Sequence, residues 1–459
     1  MRTGRGGRSP VVCGVDIGST NTKVIALDPR GVVVARARRT TPRGATNLSI
    51  DAVELLTAIE DMILEVCADT YQVHAACVAG VGEDGILVDD LLAPLVPALA
   101  WFDPRRAEIH ADLATRIPAS TATCTADDPA RTIVGWRWAT DQPDVGDAAI
   151  AWIALTDYAS SVWATMPFMS DTLAARTAAW NRHTRTWISD RVIPTLGSVA
   201  LLPPVRRAGD VIGPMHSWRL TQAGVLAADA AVIAGGHDHP IGGWGVHAMD
   251  PGSILDSMGT AEVVVAQSPL DNVAPTVDLD VAPPIGDLEG TTVLSVEELA
   301  RNIDWASTDP DVGRALTAMI AGDLTPDRFL REPVFRPGAR GGRAPEYTTD
   351  APESVRSRAS AVLGALARLG EHAQHTVART LPGTPRIYSA GGWSRSPGWI
   401  AIKTAVSTSQ VTVIPEPQVT ATGAALLGAK ALGWNASPAL ALGLNSHRDN
   451  GRLQLLTGE

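Results

Sequence analysis

The chain has 459 residues, 45% of them hydrophobic, and a formal net charge of -11 at pH 7. That length exceeds one ordinary core and suffices for two domains with a cleft between them. The acidic balance excludes proteins that neutralise nucleic-acid or membrane phosphates with basic patches, and it points to a small-molecule partner.

Four cysteines, Cys13, Cys67, Cys77 and Cys124, show no CxxC or other close spacing. Reduced thiols in the cytoplasm are the expectation. The opening MRTGRGGRSP is basic, but Gly14 and Asp16 break the apolar stretch after it, so no signal peptide is expected. No segment approaches the roughly 20 apolar residues of a membrane span.

VVCGVDIG reads as a strand, STNT as a turn, KVIALD as a second strand, and VVVARARR, after the DPRG turn, as a third. This β-meander opens an α/β domain. Residues 51–70 have apolar positions at helical spacing, and HAACVAGVG after them reads as a buried strand. Near 230 the strand AVIAGG runs through HDH into the glycine-rich helix IGGWGVHAM, and ILDSMGTAEVVVA reads as strand, loop and strand. Asp16, Gly18, Ser19 and Thr20 share a pattern with Asp256, Met258, Gly259 and Thr260, which suggests an internal duplication. Residues 265–350 are rich in Pro, Asp and Gly and show little periodicity. Residues 352–380 read as a long helix, RIYSAGGWSRSP as strand, glycine turn and helix start, and TGAALLGAKALG as an Ala/Leu helix. The last fifteen residues read as a peripheral tail.

No GxxxxGK[ST] occurs and no GxGxxG follows a strand, so neither a P-loop nor a Rossmann dinucleotide site is expected. The hairpin DIGSTNTK offers another way to hold phosphate. Gly18 permits a tight turn, the backbone N–H groups of Ser19, Thr20 and Asn21 can face phosphate oxygens, and Lys23 adds charge. Asp16, at the strand end, would hold Mg²⁺ through water. A plain β-turn with a capping Asp is the competing reading. Asp238 lies just past a buried strand and before a helix, where an α/β fold presents polar groups to its crevice. A carboxylate there can take a proton from a substrate hydroxyl; helix capping is the competing reading. The triplet His237, Asp238, His239 raises a metal site, but such close neighbours point to different faces.

Together these segments resemble the FGGY family of carbohydrate kinases. DIGSTNTK is similar to its first phosphate motif, GGHDHPIGGWG to the segment carrying its catalytic Asp, and SMGT (257–260) to its second phosphate loop. AGGWSRSPGW (390–399) resembles its adenosine-side glycine motif and TGAALLGAKALG (422–433) its C-terminal signature helix. VGEDGILVDD (81–90) with WFDPRR (101–106) resembles its sugar-contacting segments, and LLPPVRRAGDVIG (201–213) its prelude to the base. The matches fall in the family's order and cover most of the chain.

The resemblance implies an α/β fold of two RNase H-like lobes, as in actin and hsp70 ATPases, with ATP and a small sugar or polyol in the cleft. The lobes would be residues 1–240 and 241–445, with 446–459 as the tail. It implies Asp238 as general base and Asp16 as the carboxylate that orients Mg–ATP. Gly18, Ser19, Thr20, Asn21 and Lys23, with Gly259 and Thr260, would face the phosphates; Gly391, Gly392 and Ser394 would face the adenosine. Glu83, Asp84, Trp101, Asp103 and Arg105 would contact the sugar. Thirteen Trp against four Phe and four Tyr suit ring stacking, although most Trp are expected in packing. No nucleic-acid or membrane partner is implied, and a homodimer is one option for the oligomeric state.

Two departures bear on this. Where many members read Gly-Glu-Arg-x-Pro, this chain reads Gly341–Gly342–Arg343–Ala344–Pro345, and Gly82–Glu83–Asp84 replaces the Gly-Gln-Met-His of xylulokinases. GEDGILVD, WFDPR and GGHD stand closer to L-fuculokinase-like members. Two rivals remain: an ATPase or nucleotide-dependent sensor on the same architecture, and a metal-dependent hydrolase built on His237, Asp238 and His239.

Overall fold

A computed structural model describes residues 7–44, 46, 48–143, 145–338, 343–407 and 409–444. The expected tail at 446–459 and the Gly341–Gly342 departure lie outside the described residues.

The first lobe begins with an antiparallel meander, β1 (Ser9–Ile17), β2 (Asn21–Leu27) and β3 (Val33–Thr40). Helix α1 (Ala52–Cys67) follows, started by Asp51, whose carboxylate accepts from the N–H groups of Val53 and Glu54. Its buried Leu55, Ile59, Met62, Ile63 and Val66 fall on one helical face. Strand β4 (Tyr71–Gly80) then lies parallel to β1. A long excursion includes α2 (Leu155–Ala164) and returns through β5 (Val211–Pro214) to β6 (Leu226–His237), parallel to β4. The sheet order is β5-β6-β4-β1-β2-β3. Helix α3 (Asp238–Met249) leaves β6 directly.

The second lobe repeats this connectivity. Strands β7 (Ile254–Met258) and β8 (Glu262–Ser268) form a hairpin, and β9 (Asp280–Ala282) and β10 (Thr291–Glu297) extend it. Helix α4 (Val355–Ala378), β11 (Ile387–Ala390), α5 (Pro397–Val406), β12 (Val411–Val413) and α6 (Val419–Ala431) complete it. The order is β9-β10-β8-β7-β11-β12, with β11 parallel to β7 and β12 parallel to β11. The meander β7-β8-β10 thus stands where β1-β2-β3 stands in the first lobe, and β9 and β5 are added edge strands. This is the two-lobed α/β fold implied by the sequence.

Residues 265–350, which lack periodicity, are more regular than their composition suggests. They hold β9, β10 and the helices Ala300–Ala306 and Pro310–Ala321. The second of these helices carries a readable start, Asp309 as cap followed by Pro310. The tryptophans are mainly packing residues, as expected: Trp136, Trp152, Trp163 and Trp399 are among the largest fully buried side chains. All four cysteines are free and buried. Among the described residues no helix is long and apolar enough to cross a membrane.

The lobes exchange their last helices. Helix α3 leaves the first sheet but packs on β7 and β8, whereas α6 leaves the second sheet and packs on β1, β2 and β4. The two helices cross where Gly245 faces Gly423: a Cβ on Gly245 would lie 3.0 Å from the Gly423 Cα, and one on Gly423 would lie 2.4 Å from the Ile241 carbonyl. Only hydrogen fits at Gly423, and a Cβ at Gly245 would need the facing backbone to give way. Gly423→Val should therefore lower stability by about 1–3 kcal/mol or more through overpacking. An unfolding midpoint in denaturant equal to that of wild type would show that the crossing relaxes freely.

Candidate active site

Asp16 sits one residue from the end of β1 and faces Lys23 across the hairpin, with Lys23 Nζ 2.6 Å from its Oδ2. The carboxylate is 5% exposed, and its charge is the main cause that raises the Lys23 ammonium above its ordinary value. The turn closes through Gly18 N–H donating to the Asn21 carbonyl at 3.1 Å. It is braced from behind. Thr41 Oγ1 donates to the Gly18 carbonyl at 2.7 Å and Arg43 Nε to the Ser19 carbonyl at 2.9 Å. Ser19 is half-buried and Thr20 exposed, so the tip of this loop is open.

Asp238 is the first residue of α3, at the point where β6 ends. Its side chain is 19% exposed. Oδ1 carries the described contacts: the His239 N–H at 2.7 Å, His237 Nε2 at 3.2 Å and His239 Nε2 at 3.6 Å. Burial lifts this carboxyl above the usual carboxylate range; His239 opposes the lift, and the charges of Asp16 and Glu83 add to it. His237 is driven well below its ordinary value by burial and by Arg176, so it stays neutral. Both imidazoles close on one oxygen of Asp238 instead of converging with it on a shared point. Asp16, Lys23, Glu83 and Asp238 therefore share one electrostatic field.

The sugar-side candidates separate into groups. Trp101 is half-buried and its Nε1 donates to Ser19 Oγ at 2.9 Å, which joins this region to the phosphate loop. Glu83 is held by Arg176, whose Nε donates to Oε1 at 2.8 Å. Asp103 is buried, and its carboxylate accepts from the backbone N–H and guanidinium of Arg105 at 2.9 and 2.7 Å. That pair is a local clamp at the start of the helix Arg105–Leu113, and the Arg105 side chain is 56% exposed. Asp84 differs from both. It is 1% exposed, neither carboxylate oxygen has a hydrogen-bond partner among the described residues, and Arg106 Nη2 stands 4.0 Å from Oδ1.

Several residues here escaped the sequence reading. Arg106, 1% exposed, donates to the Ala100 carbonyl and backs Asp84; its signal is the doubled Arg105–Arg106. Arg43 lies over the Phe102 ring at 4.9 Å and within reach of the Asp84 charge. Arg176 and Arg131 both pair with Asp280 of the second lobe, at 2.8 and 3.2 Å, and nothing in the sequence of 265–350 marks Asp280 as their partner.

On the second lobe, Gly259 N–H donates to the Ala261 carbonyl at 2.9 Å, which shapes the turn that carries Thr260. Gly391 has a φ of 93°, and a Cβ there would lie 2.2 Å from the Met258 carbonyl. The glycine turn expected on the adenosine side thus rests directly on the loop at 257–260. Gly392 has open space at its Cα, whereas Ser394 is 3% exposed and donates to the Gly391 carbonyl at 2.8 Å. Ser394 fastens the turn. Behind it Lys403 Nζ reaches Asp256 Oδ2 at 2.9 Å and also Glu262, and Gln374 donates to Asp256.

Burial pushes the Asp84 carboxyl up to about 7, opposed by Arg106 and reinforced by Glu83. Unfolded, the same group titrates near 4. Between those values the folded chain binds the extra proton, so this residue's contribution to stability falls as pH rises from about 4 to about 7. Asp84→Asn should remove that slope, gaining of the order of a few kcal/mol on wild type between about pH 5 and about pH 8. Denaturant unfolding of both proteins at the two pH values measures it, and parallel pH profiles would refute it.

Comparison with known proteins bears on the family and the fold. The profile of the N-terminal domain of the FGGY family of carbohydrate kinases matches residues 11–245. L-fuculokinase of Escherichia coli (strain K12) is 25% identical over 277 residues, 57% of this chain and 57% of that protein. A xylulose kinase of Staphylococcus epidermidis is 26% identical over 264 residues, 56% of this chain and 52% of that protein. These alignments span little more than half the length of the curated relatives. Among solved structures, xylulose kinase from Rhodospirillum rubrum superposes with a TM-score of 0.80 at 20% identity, covering 95% of this chain and 92% of that one. Plasmodium falciparum glycerol kinase with ADP gives 0.79 at 15% identity, covering 97% and 94%. The superpositions establish the fold, and with a profile match over more than half its length the chain belongs to the FGGY family of carbohydrate kinases.

Proposed function

We propose that this protein is an ATP-dependent kinase that phosphorylates a hydroxyl of a small sugar, a ketopentose or deoxyketohexose, or of a polyol. The observation that carries the reading is Asp238. It stands at the start of α3 with one oxygen fixed and its carboxyl raised, in the same field as Asp16 and Lys23 on one side and Glu83 on the other. In this reading the substrate hydroxyl gives its proton to Asp238 as its oxygen bonds to the terminal phosphorus of ATP. The bond from that phosphorus to the bridging oxygen breaks, and ADP leaves. Lys23 and the N–H groups of Ser19, Thr20 and Asn21, with Gly259 and Thr260 opposite, would hold the phosphates. Gly391 and Gly392 would face the adenosine, and Asp84 and Trp101 the sugar. The division of the chain at residue 240 belongs to the same reading.

Among the described residues no three His, Cys, Asp or Glu side chains are grouped to hold a metal ion. A single buried carboxylate beside an open loop, as Asp16 is, suits Mg²⁺, which keeps several waters and takes few carboxylates. The ion, with Asp16 as its partner through water, would supply charge neutralisation to the nucleotide phosphates.

A nucleotide-responsive ATPase without sugar transfer is the second reading. It is favoured by the engagement of Glu83 with Arg176 and of Asp103 with Arg105, which occupies three of the expected sugar ligands. ADP release measured over ketopentoses, 6-deoxyketoses and polyols decides between them. Release that depends on one sugar supports the kinase, and release indifferent to every sugar overturns it.

Asp238→Asn should lower turnover by about 10²–10⁴-fold with ATP binding kept, because the amide fills the same space and cannot accept the proton. Near-normal turnover would remove Asp238 from the mechanism. Asp16→Ala should cut activity and weaken its dependence on magnesium concentration. A magnesium titration identical to that of wild type would make Asp16 a structural cap.

A further inference from the structure

A second concentration of chemistry lies away from the Asp16–Asp238 centre. The short hairpin Trp180–Asn181/Thr186–Trp187, the segment 202–210 and Pro283 of the second lobe enclose a cavity of about 700 Å³. That volume lies within the range of small-molecule sites. Its walls carry Trp180 and Trp187, packed edge to face with centroids 4.7 Å apart, and three arginines, Arg185, Arg206 and Arg207. None of the residues expected on ATP or sugar lines it.

Among the described residues none of the three guanidiniums forms an ion pair, and Arg207 Nε is buried without a hydrogen-bond partner. Arg185 and Arg207 feel the Asp171 charge and Arg207 that of Asp287 as well, yet no described carboxylate closes on any of the three guanidiniums, and cations gathered around one cavity repel one another. Arg185 is also held at φ 54°, a left-handed conformation that disfavours any residue with a Cβ. Asp171 and Asp210 also line the cavity. Asp210 is engaged by the Arg207 N–H at 3.0 Å. Burial pushes the Asp171 carboxyl up to about 7, so it opposes an anion only weakly near neutrality.

We propose that this cavity binds a phosphorylated small metabolite, with its phosphate on the three arginines and its body against the indoles. Guanidinium forks match phosphate oxygens in pairs, and indole faces and edges give a flat apolar wall for a sugar or other ring. Occupancy reaches the catalytic centre by a short route. Asp171 opens the turn Asp171–Ala174; the Oγ1 of Thr172 accepts the His237 N–H at 2.9 Å, one residue before Asp238. Arg176, just beyond that turn, holds Glu83. The cavity also spans the lobes, because Pro283 closes one side and Arg207 donates to the Leu288 carbonyl. A ligand there binds the two lobe arrangements unequally and so biases closure.

The test is calorimetric titration of the full chain with glucose 6-phosphate, glucose and inorganic phosphate, with a non-hydrolysable ATP analogue present. Wild type is compared with Arg185→Ala/Arg206→Ala, both exposed side chains. Wild type should bind glucose 6-phosphate saturably and inorganic phosphate more weakly, and the double variant should bind glucose 6-phosphate about tenfold or more weaker, a loss of about 1.4 kcal/mol. The catalytic cleft is the same in both proteins, so the difference between them isolates the cavity, and it is read whether or not the protein turns over any sugar. Equal binding by the two proteins, a glucose titration that shows the same difference, or no saturable binding below about 10 mM overturns the proposal.

Discussion

The position of both central carboxylates depends on the crossing of α3 and α6. Helix α3 starts with Asp238 and is clamped against the second sheet; α6 lies on the first sheet, where the Ala421 carbonyl comes so close to Gly14 that a Cβ there would sit 2.0 Å away. Gly14 is two residues before Asp16 on β1. The helix that belongs to one lobe therefore sets the strand that carries the other lobe's carboxylate. A change in the angle of the crossing would move Asp16 and Asp238 relative to each other, which is what a two-lobed enzyme must control at its cleft. The small side chains of α6, buried around nearly its whole circumference, follow from this: they let two helices and a sheet approach within backbone contact.

A second tie is made of charge. Glu83, Arg131, Arg176 and Asp280 are buried or nearly so, and they join the first lobe to strand β9 of the second. Removing such ions from water costs several kcal/mol each, so the cluster is not a simple source of stability. Its effect is on placement. The Glu83 carboxylate cannot turn toward a ligand without breaking its bond to Arg176, and Arg176 cannot shift without giving up its contact with Asp280, which Arg131 shares. Asp84, one residue on, has only Arg106 at 4.0 Å to set against its burial, and its carboxyl is lifted.

The sequence made the first meander, the long helix α4 and the Asp238 junction legible, because each rests on local signals: apolar runs closed by Gly, Asp or Pro, and helical periodicity over many residues. The lobe exchange was not legible. An Ala/Gly-rich helix such as α6 announces burial but not which sheet buries it. The sugar-side charges were half legible. Asp103 and Arg105 carry their meaning in their spacing, since an Asp two residues before an Arg at a helix start can clamp it. Glu83 and Asp280 are far apart in sequence and meet only through the fold. Ser394 was placed in the right turn, but its hydroxyl faces inward and serves the turn itself.

The internal duplication shows how one residue of register separates chemistry from structure. Asp16 lies one residue from the end of its hairpin, where Ile17 faces Thr22; Asp256 lies two residues from the end of the matching hairpin, where Met258 faces Glu262. Successive strand residues point to opposite faces, so the two carboxylates leave their sheets on opposite sides. Asp16 meets Lys23 beside the open loop. Asp256 goes into the core, fully buried, against Lys403 of α5 and Gln374 of α4. There burial pushes the Glu262 carboxyl up to about 8, with the Asp256 charge adding and Lys403 opposing. Lys403 is thus shared between two buried carboxylates. The same topology thus gives one lobe a carboxylate paired with Lys23 beside an open loop and the other a closed buried cluster that fastens α5 behind the loop at 257–260.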